Sequence, residues 1–210
     1  MTHTLHRTGD TDSLQMDFVL LVLPDKDFNA EGSSEKMKQF WDLFSRHQGG
    51  IVNYGNCSSG NSHRFSIADL KETKNSILNV VFKDRGGLKA CLQEIKDRDF
   101  GISIIISGLY EEVRKICDEI GLSPHTVGVS LGFHGKTEKL PDNRVLDITT
   151  MCGHHMVSHN LVGKMVKEIN DKKRTCNEAA TELSKQCVCG AFNPFRAEKI
   201  LEKMAGLMVE

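Results

Sequence analysis

Cys152, His155 and His159 fall within eight positions of "TTMCGHHMVSHNLVGKMV" (149–166), and Cys187 and Cys189 follow in "QCVCGAFNPFRAEKIL" (186–201). Thiolate and imidazole are the side chains that ligate zinc, and thiolates also hold iron–sulfur clusters. With Thr150 as N-cap and Met151 as the first helical residue, Cys152 lies in a first turn, where free amides and the helix dipole favour a thiolate. At about 100° per residue, His155 and His159 share with Cys152 a sector roughly 60° wide. His154 points elsewhere and is assigned to no site.

Cys187 and Cys189 form a C-x-C pair, and Gly190 permits the turn that brings both sulfurs to one point. Asn193 and Pro194 read as the N-cap and first residue of a last helix beside them. The expected metal ligands are therefore Cys152, Cys187 and Cys189, with His155 or His159 completing the set or serving as proton donor. Cys57 and Cys176 are further candidates for a fourth ligand. Arg196, beside the thiol pair, is a candidate for holding an anionic substrate.

Three thiolates facing two helix N-termini point to an iron–sulfur cluster as cofactor, with a Cys3His zinc site as the alternative. The function expected from this is a metalloprotein with redox or Lewis-acid chemistry, an oxidoreductase or lyase if an enzyme. The centre would sit beside an α/β ligand cleft, serving a small-molecule ligand or a redox partner. A second reading is a non-enzymatic ligand-binding or regulatory module pinned by structural zinc. A third is a thiol enzyme with Cys152 as nucleophile and His155 as base, although an i,i+3 pair on one helix aligns poorly for proton transfer.

Other motifs fail on one residue each. In the stretch ending "LGFHGKT", a phosphate-binding loop requires glycine five positions before Gly135, where Ser130 stands. His155 and His159 have zinc-protease spacing, but Met156 follows His155 where that motif places its glutamate base. "DRGGLKA" (84–90) puts two glycines at a helix start, an arrangement common to plain βα turns. His63, His125 and His134 lie near strand ends, where a cleft would form.

The elements that must position these groups alternate. "DFVLLVLP" (17–24), the start of "IVNYGNCSSGNSHRF", "SILNVVF", "GISIIIS" and "HTVGVSLG" read as strands. Between them lie a helix within 31–50 carrying Met37, Phe40, Trp41 and Phe44 on one face, and helices in "GGLKACLQEIKDRD" and "LYEEVRKICDEIGL". Cys91 and Cys117 fall on the apolar stripes of the last two and belong to the core. The Gly, Ser and Asn-rich stretch after residue 52 is expected to be a long exposed loop.

The expected class is α/β, with α+β as the alternative: a mixed sheet built from βαβαβ units with helices packed on it. From about 147 onward strands give way to helices expected at 150–171, 175–186 and 194–208. The organisation read from this is a flexible tail (1–15), an α/β domain (16–146) and a helical Cys/His-containing unit (147–210). With 39% hydrophobic and 26% charged residues and a net charge of −1, the chain carries no signature of a nucleic-acid partner. Its longest apolar runs are strand-sized, too short for a membrane helix, and its polar start lacks the apolar core of a secretory signal. A cytoplasmic location is expected, where seven cysteines stay reduced rather than forming a disulfide framework.

Overall fold

The computed structural model describes residues 6–73 and 77–206. The first five residues of the expected tail and the last two of the expected 194–208 helix lie outside them.

The central run sets the architecture. Strand β1 (Phe18–Leu23) is apolar at every position. Successive strand side chains point to opposite faces, so an unbroken apolar strand needs cover on both. Phe18, Leu20 and Val22 enter one cluster, while Val19 and Leu21 enter another. The first contains Met37, Phe40, Trp41 and Phe44 of α2 (Ser33–Arg46), Leu88, Cys91 and Leu92 of α4 (Arg85–Arg98), and Ile116 of α5 (Tyr110–Ile120). The second is built by α6 (Asn143–Thr149), α7 (His159–Asn170), α8 (Cys176–Lys185) and α9 (Pro194–Met204). Two short helices, α1 (Thr11–Leu14) and α3 (Ile67–Lys71), complete the helical complement among the described residues, apart from one 3-10 turn.

Between the two helical layers lies a five-stranded sheet in the order β3-β2-β4-β1-β5, with β2 (Ile51–Asn56), β3 (Gly60–Asn61), β4 (Leu78–Phe82) and β5 (Ser103–Ser107). Every neighbouring pair is antiparallel. This corrects the expected mixed sheet. Each helical crossover skips one strand position, and the gap is filled by a strand running the other way, so the interleaved βαβ units produce no parallel neighbours.

Three further expectations change. The segment expected as a last strand, "HTVGVSLG", pairs with no strand among the described residues, and its Val127, Val129 and Leu131 are exposed. The helix expected over 150–171 is broken: α6 ends at Thr149, and α7 begins at His159 with Ser158 as N-cap, its hydroxyl accepting from the Leu161 amide at 3.2 Å. Between them the chain turns through Gly153 and through His155 at φ 55°. Residues 6–15, finally, do not trail. The Thr8 amide donates to Thr150 Oγ1 at 3.1 Å, and Arg7 and Ser13 reach into the interior. No helix among the described residues is long and apolar enough to cross a membrane.

Candidate functional site

Four of the seven cysteines meet where the sheet touches the second helical layer. Cys57 follows β2, and its amide donates to the Ile77 carbonyl at 3.1 Å, extending the contact with the β4 side. Cys152 lies in the turn after α6, where its carbonyl accepts from the His155 amide at 2.9 Å. Cys187 and Cys189 lie in the turn after α8, closed by the Gly190 amide donating to the Cys187 carbonyl at 3.0 Å. The Sγ atoms of Cys187 and Cys189 are 3.8 Å apart. The Cys187 thiol also hydrogen-bonds Cys152, and the Cys57 thiol hydrogen-bonds Cys189. The sulfurs thus form a row: Cys152, Cys187, Cys189, Cys57. Cys152, Cys187 and Cys189 are buried, and Cys57 is half-buried.

Glycine makes the meeting possible. A Cβ on Gly55 would stand 2.7 Å from the Cys189 carbonyl oxygen, and one on Gly190 would stand 2.3 Å from the Tyr54 carbonyl. Strand β2 therefore runs backbone against backbone along the C-x-C-G turn, a closeness only glycine allows. Gly190 also has φ +75°. Gly190→Ala is accordingly expected to cost about 2–5 kcal/mol from backbone strain and overpacking together, read as a lowered denaturation midpoint in urea. A midpoint unchanged by this substitution would mean the two backbones do not touch.

Buried amides lock the same contact. Asn53 Nδ2 donates to the Phe192 carbonyl at 2.7 Å, and Asn61 Nδ2 to the Cys187 carbonyl at 2.9 Å. From the other side, the Arg7 guanidinium donates to the Met151 carbonyl at 3.0 Å and to the Ala191 carbonyl. The stretch expected as an exposed loop is thus a polar seam, with Asn53, Asn56 and Asn61 all buried. Asn79 Nδ2 lies 3.4 Å from Cys57 Sγ, while its buried Oδ1 has no hydrogen-bond partner. A bound group with a donor hydrogen would find an acceptor there.

The row divides into two kinds of sulfur. The hydrogen bond from Cys187 draws the Cys152 thiol down to about 6, against the effect of burial, and the backbone amides of Met156 and His154 add to it. Hydrogen bonds from Cys187 and Cys57 take Cys189 down to about 2, helped by the Ala191 amide. Cys187 and Cys57 are pushed up, first because their protons are shared with those thiolates and then by burial. Two thiolates are thus held first by neighbouring thiols and then by peptide N–H groups, and hydrogen bonds to sulfur of this kind also tune metal–thiolate centres.

The expected site residues are distributed as follows. Cys152, Cys187 and Cys189 are brought together, and Cys57 joins them. Cys176 starts α8, and its raised thiol answers to burial, Glu202 and Glu198 rather than to another cysteine. Cys91 lies in the cluster on the opposite face of the sheet. His155 and His159 are exposed, and no hydrogen bond from either reaches a sulfur among the described residues. His154, assigned to no site from sequence, places Nδ1 3.7 Å from Cys189 Sγ. The helix that was to put His155 and His159 beside Cys152 does not exist there, and a turn presents the neighbouring imidazole instead.

The two helix N-termini are also not what charges the sulfurs. Helix α7 starts seven residues beyond Cys152, and the α9 terminus is capped by Asn193, whose Nδ2 donates to Asp17 Oδ1 at 3.0 Å. Turn amides take that part. Arg196 is wholly buried, with Nη1 on Asp17 Oδ2 at 2.9 Å, Nε on Ser13 Oγ at 2.9 Å and Nη2 on the Thr8 carbonyl. Every nitrogen of its guanidinium is engaged, so it does not face a substrate. In "DRGGL", the Asp84 side chain caps the helix by accepting from the Gly87 amide at 2.8 Å, and Gly87 packs on Gly50. That leaves the glycines a packing role.

Among the described residues no group of three or more His, Cys, Asp or Glu side chains is gathered as around a metal ion; the sulfurs are linked in line rather than at the corners of a tetrahedron. Comparison with family models, with curated proteins and with solved structures returned no match.

Proposed function

We propose that Cys57, Cys152, Cys187 and Cys189 are the ligands of a metal–thiolate centre, and that the metal is a single zinc ion. The observation that carries this is the contact in line of four sulfurs from three separate turns of the chain, two of them favoured as thiolates chiefly by hydrogen bonds from the neighbouring thiols and further by peptide amides. The 3.8 Å between the sulfurs of Cys187 and Cys189 also fits. A tetrahedral ion with zinc–sulfur bonds of about 2.3 Å has edges of about 3.8 Å. A cluster would spread these thiolates over different iron atoms, which makes zinc the better fit than the iron–sulfur centre expected from sequence. Cys152 and Cys57, at the ends of the row, would have to turn inward about their Cα–Cβ bonds for all four sulfurs to hold the ion.

Four sulfur ligands leave no open position, so the centre is structural rather than catalytic. It ties the β2–β3 hairpin, the α6–α7 turn and the α8–α9 turn to one point and so fixes the second helical layer on the sheet. His155 and His159 have no place in this set, and His154 stands outside it as a neighbour of Cys189. A cytoplasmic location, where unbridged thiols persist, belongs to the same proposal.

Elemental analysis of protein purified without oxygen is the test. One zinc per chain and a colourless solution are expected. A brown protein bleached by dithionite would replace zinc with a cluster on the same ligands, and protein carrying no metal would overturn the centre altogether.

A further inference from the structure

Of the seven cysteines, Cys57 alone is not buried. It opens the turn between β2 and β3, where Ser58 beside it is exposed, so the row of sulfurs is accessible to small solutes at its Cys57 end. The Cys57 thiol hydrogen-bonds Cys189. The backbones that carry the two sulfurs also adjoin, since a Cβ on Gly55 would stand 2.7 Å from the Cys189 carbonyl oxygen. Sulfurs held together from adjoining backbones meet the first requirement of a disulfide.

Asn79, on β4, is wholly buried and brings its carboxamide to the same sulfur, with Nδ2 3.4 Å from Cys57 Sγ. Its Oδ1 has no hydrogen-bond partner, and a buried acceptor left open in this way calls for an explanation. Cys57 as a thiol does not provide one, because its proton is shared with Cys189. A hydroxyl on the sulfur does: the sulfenic acid of Cys57 carries an O–H donor one bond from Sγ, beside the Asn79 carboxamide.

We infer that Cys57 is a site of oxidation by hydrogen peroxide, with Asn79 holding the sulfenic acid and Cys189 resolving it to a Cys57–Cys189 disulfide. In the first step the Cys57 sulfur bonds to one peroxide oxygen and the O–O bond breaks. The other oxygen leaves as water, taking the proton that Cys57 shared with Cys189. In the second step the Cys189 thiolate attacks Cys57 Sγ and expels hydroxide. The two sulfurs together give up two electrons, which reduce the peroxide to water and hydroxide. The new bond ties the β2–β3 turn to the α8–α9 turn. This sulfur chemistry stands without the metal. Its consequence for zinc rests on the reading above: the disulfide withdraws two of four ligands, and the ion leaves.

The full chain as purified, treated with a small molar excess of hydrogen peroxide and mapped by peptide mass, is expected to show the Cys57–Cys189 disulfide. With dimedone present during oxidation, the trapped sulfenic acid is expected on Cys57 ahead of every other cysteine. Cys189→Ser should form no such disulfide and give several-fold more dimedone adduct on Cys57. In that background Asn79→Leu should shorten the life of the sulfenic acid several-fold, while Asn79→Asp, which keeps an acceptor oxygen, should retain it. Oxidation that falls first on another cysteine, a Cys57 that stays reduced, a disulfide that omits it, or a sulfenic acid indifferent to Asn79 overturns the inference. Zinc is followed in the same samples with a colorimetric chelator. One ion released per disulfide supports both readings, whereas the disulfide in a chain that held no zinc upholds this inference and removes the metal centre.

Discussion

Cys189→Ser is expected to leave the protein with less than about a tenth of the zinc proposed for the parent chain, since loss of a ligand from a closed thiolate set forfeits far more than the roughly tenfold that loss of a supporting hydrogen bond costs. The position is chosen because Cys189 touches both Cys187 and Cys57 and carries the most stabilised thiolate of the row. A serine hydroxyl stays protonated, so Cys187 and Cys57 lose their shared acceptor and the row divides. Cys187→Ser is expected to act alike. Cys91→Ser is the control: it lies in the cluster on the other face of the sheet. It should keep full metal while losing about 1–3 kcal/mol of stability, the cost of a buried hydroxyl without a partner. Equal zinc in all three proteins, measured after gel filtration, would remove Cys57, Cys152, Cys187 and Cys189 as ligands.

Arg196→Met should be the most damaging substitution away from the sulfurs. It is expected to cost about 3–5 kcal/mol at neutral pH, the scale for stranding one partner of a buried ion pair. Asp17 and Arg196 are both fully buried, and Arg7 shares the carboxylate. Burial alone would raise the Asp17 carboxyl, but the charges of Arg7 and Arg196 outweigh it and hold the group below its ordinary 3.8. A carboxylate depressed in the folded state stabilises that state fully above its unfolded value. The contribution fades as pH falls below about 3.8 toward the folded value. The gap between parent and variant in urea denaturation is therefore expected at neutral pH and should narrow in that acid range. A gap that stays constant down to the lowest pH at which both proteins fold would show that Arg196 acts through packing alone.

The two-sided burial of β1 was legible in its unbroken apolar run, as were the faces of α2 and α4 in their helical periods. The break between α6 and α7 was also written in the chain, as Gly153 and the Ser158 cap, but an apolar period running from Val157 onward masked it. Arg196 was misread because it follows the Cys187–Cys189 pair closely in sequence and an arginine on a helix is ordinarily free to face solvent or a ligand. Its true partner, Asp17, is 179 residues away, and no local pattern announces a buried pair at that separation. Cys57 is the same case. Its membership of the row depends on two glycines, Gly55 and Gly190, that mark a backbone contact only once each is known to face the other. The asparagines of "NYGNCSSGN" looked like loop polarity. Their spacing instead serves the burial of a hairpin, each amide taking a turn carbonyl or amide that water cannot reach.

The Gly55–Gly190 contact also dictates an order of events. Cys57 is made early in synthesis, and the strand bearing it can pair within its own part of the sheet well before the second helical layer exists. Its sulfur partner at Cys189 arrives more than a hundred residues later, and the carbonyls that Asn53 and Asn61 bind arrive with it. Contacts of such separation form late in folding. Until then three buried amides and an apolar sheet face stand open to water, so the nascent chain passes through a stage in which half its core lacks a cover. The last helices are in that sense the closing step of folding.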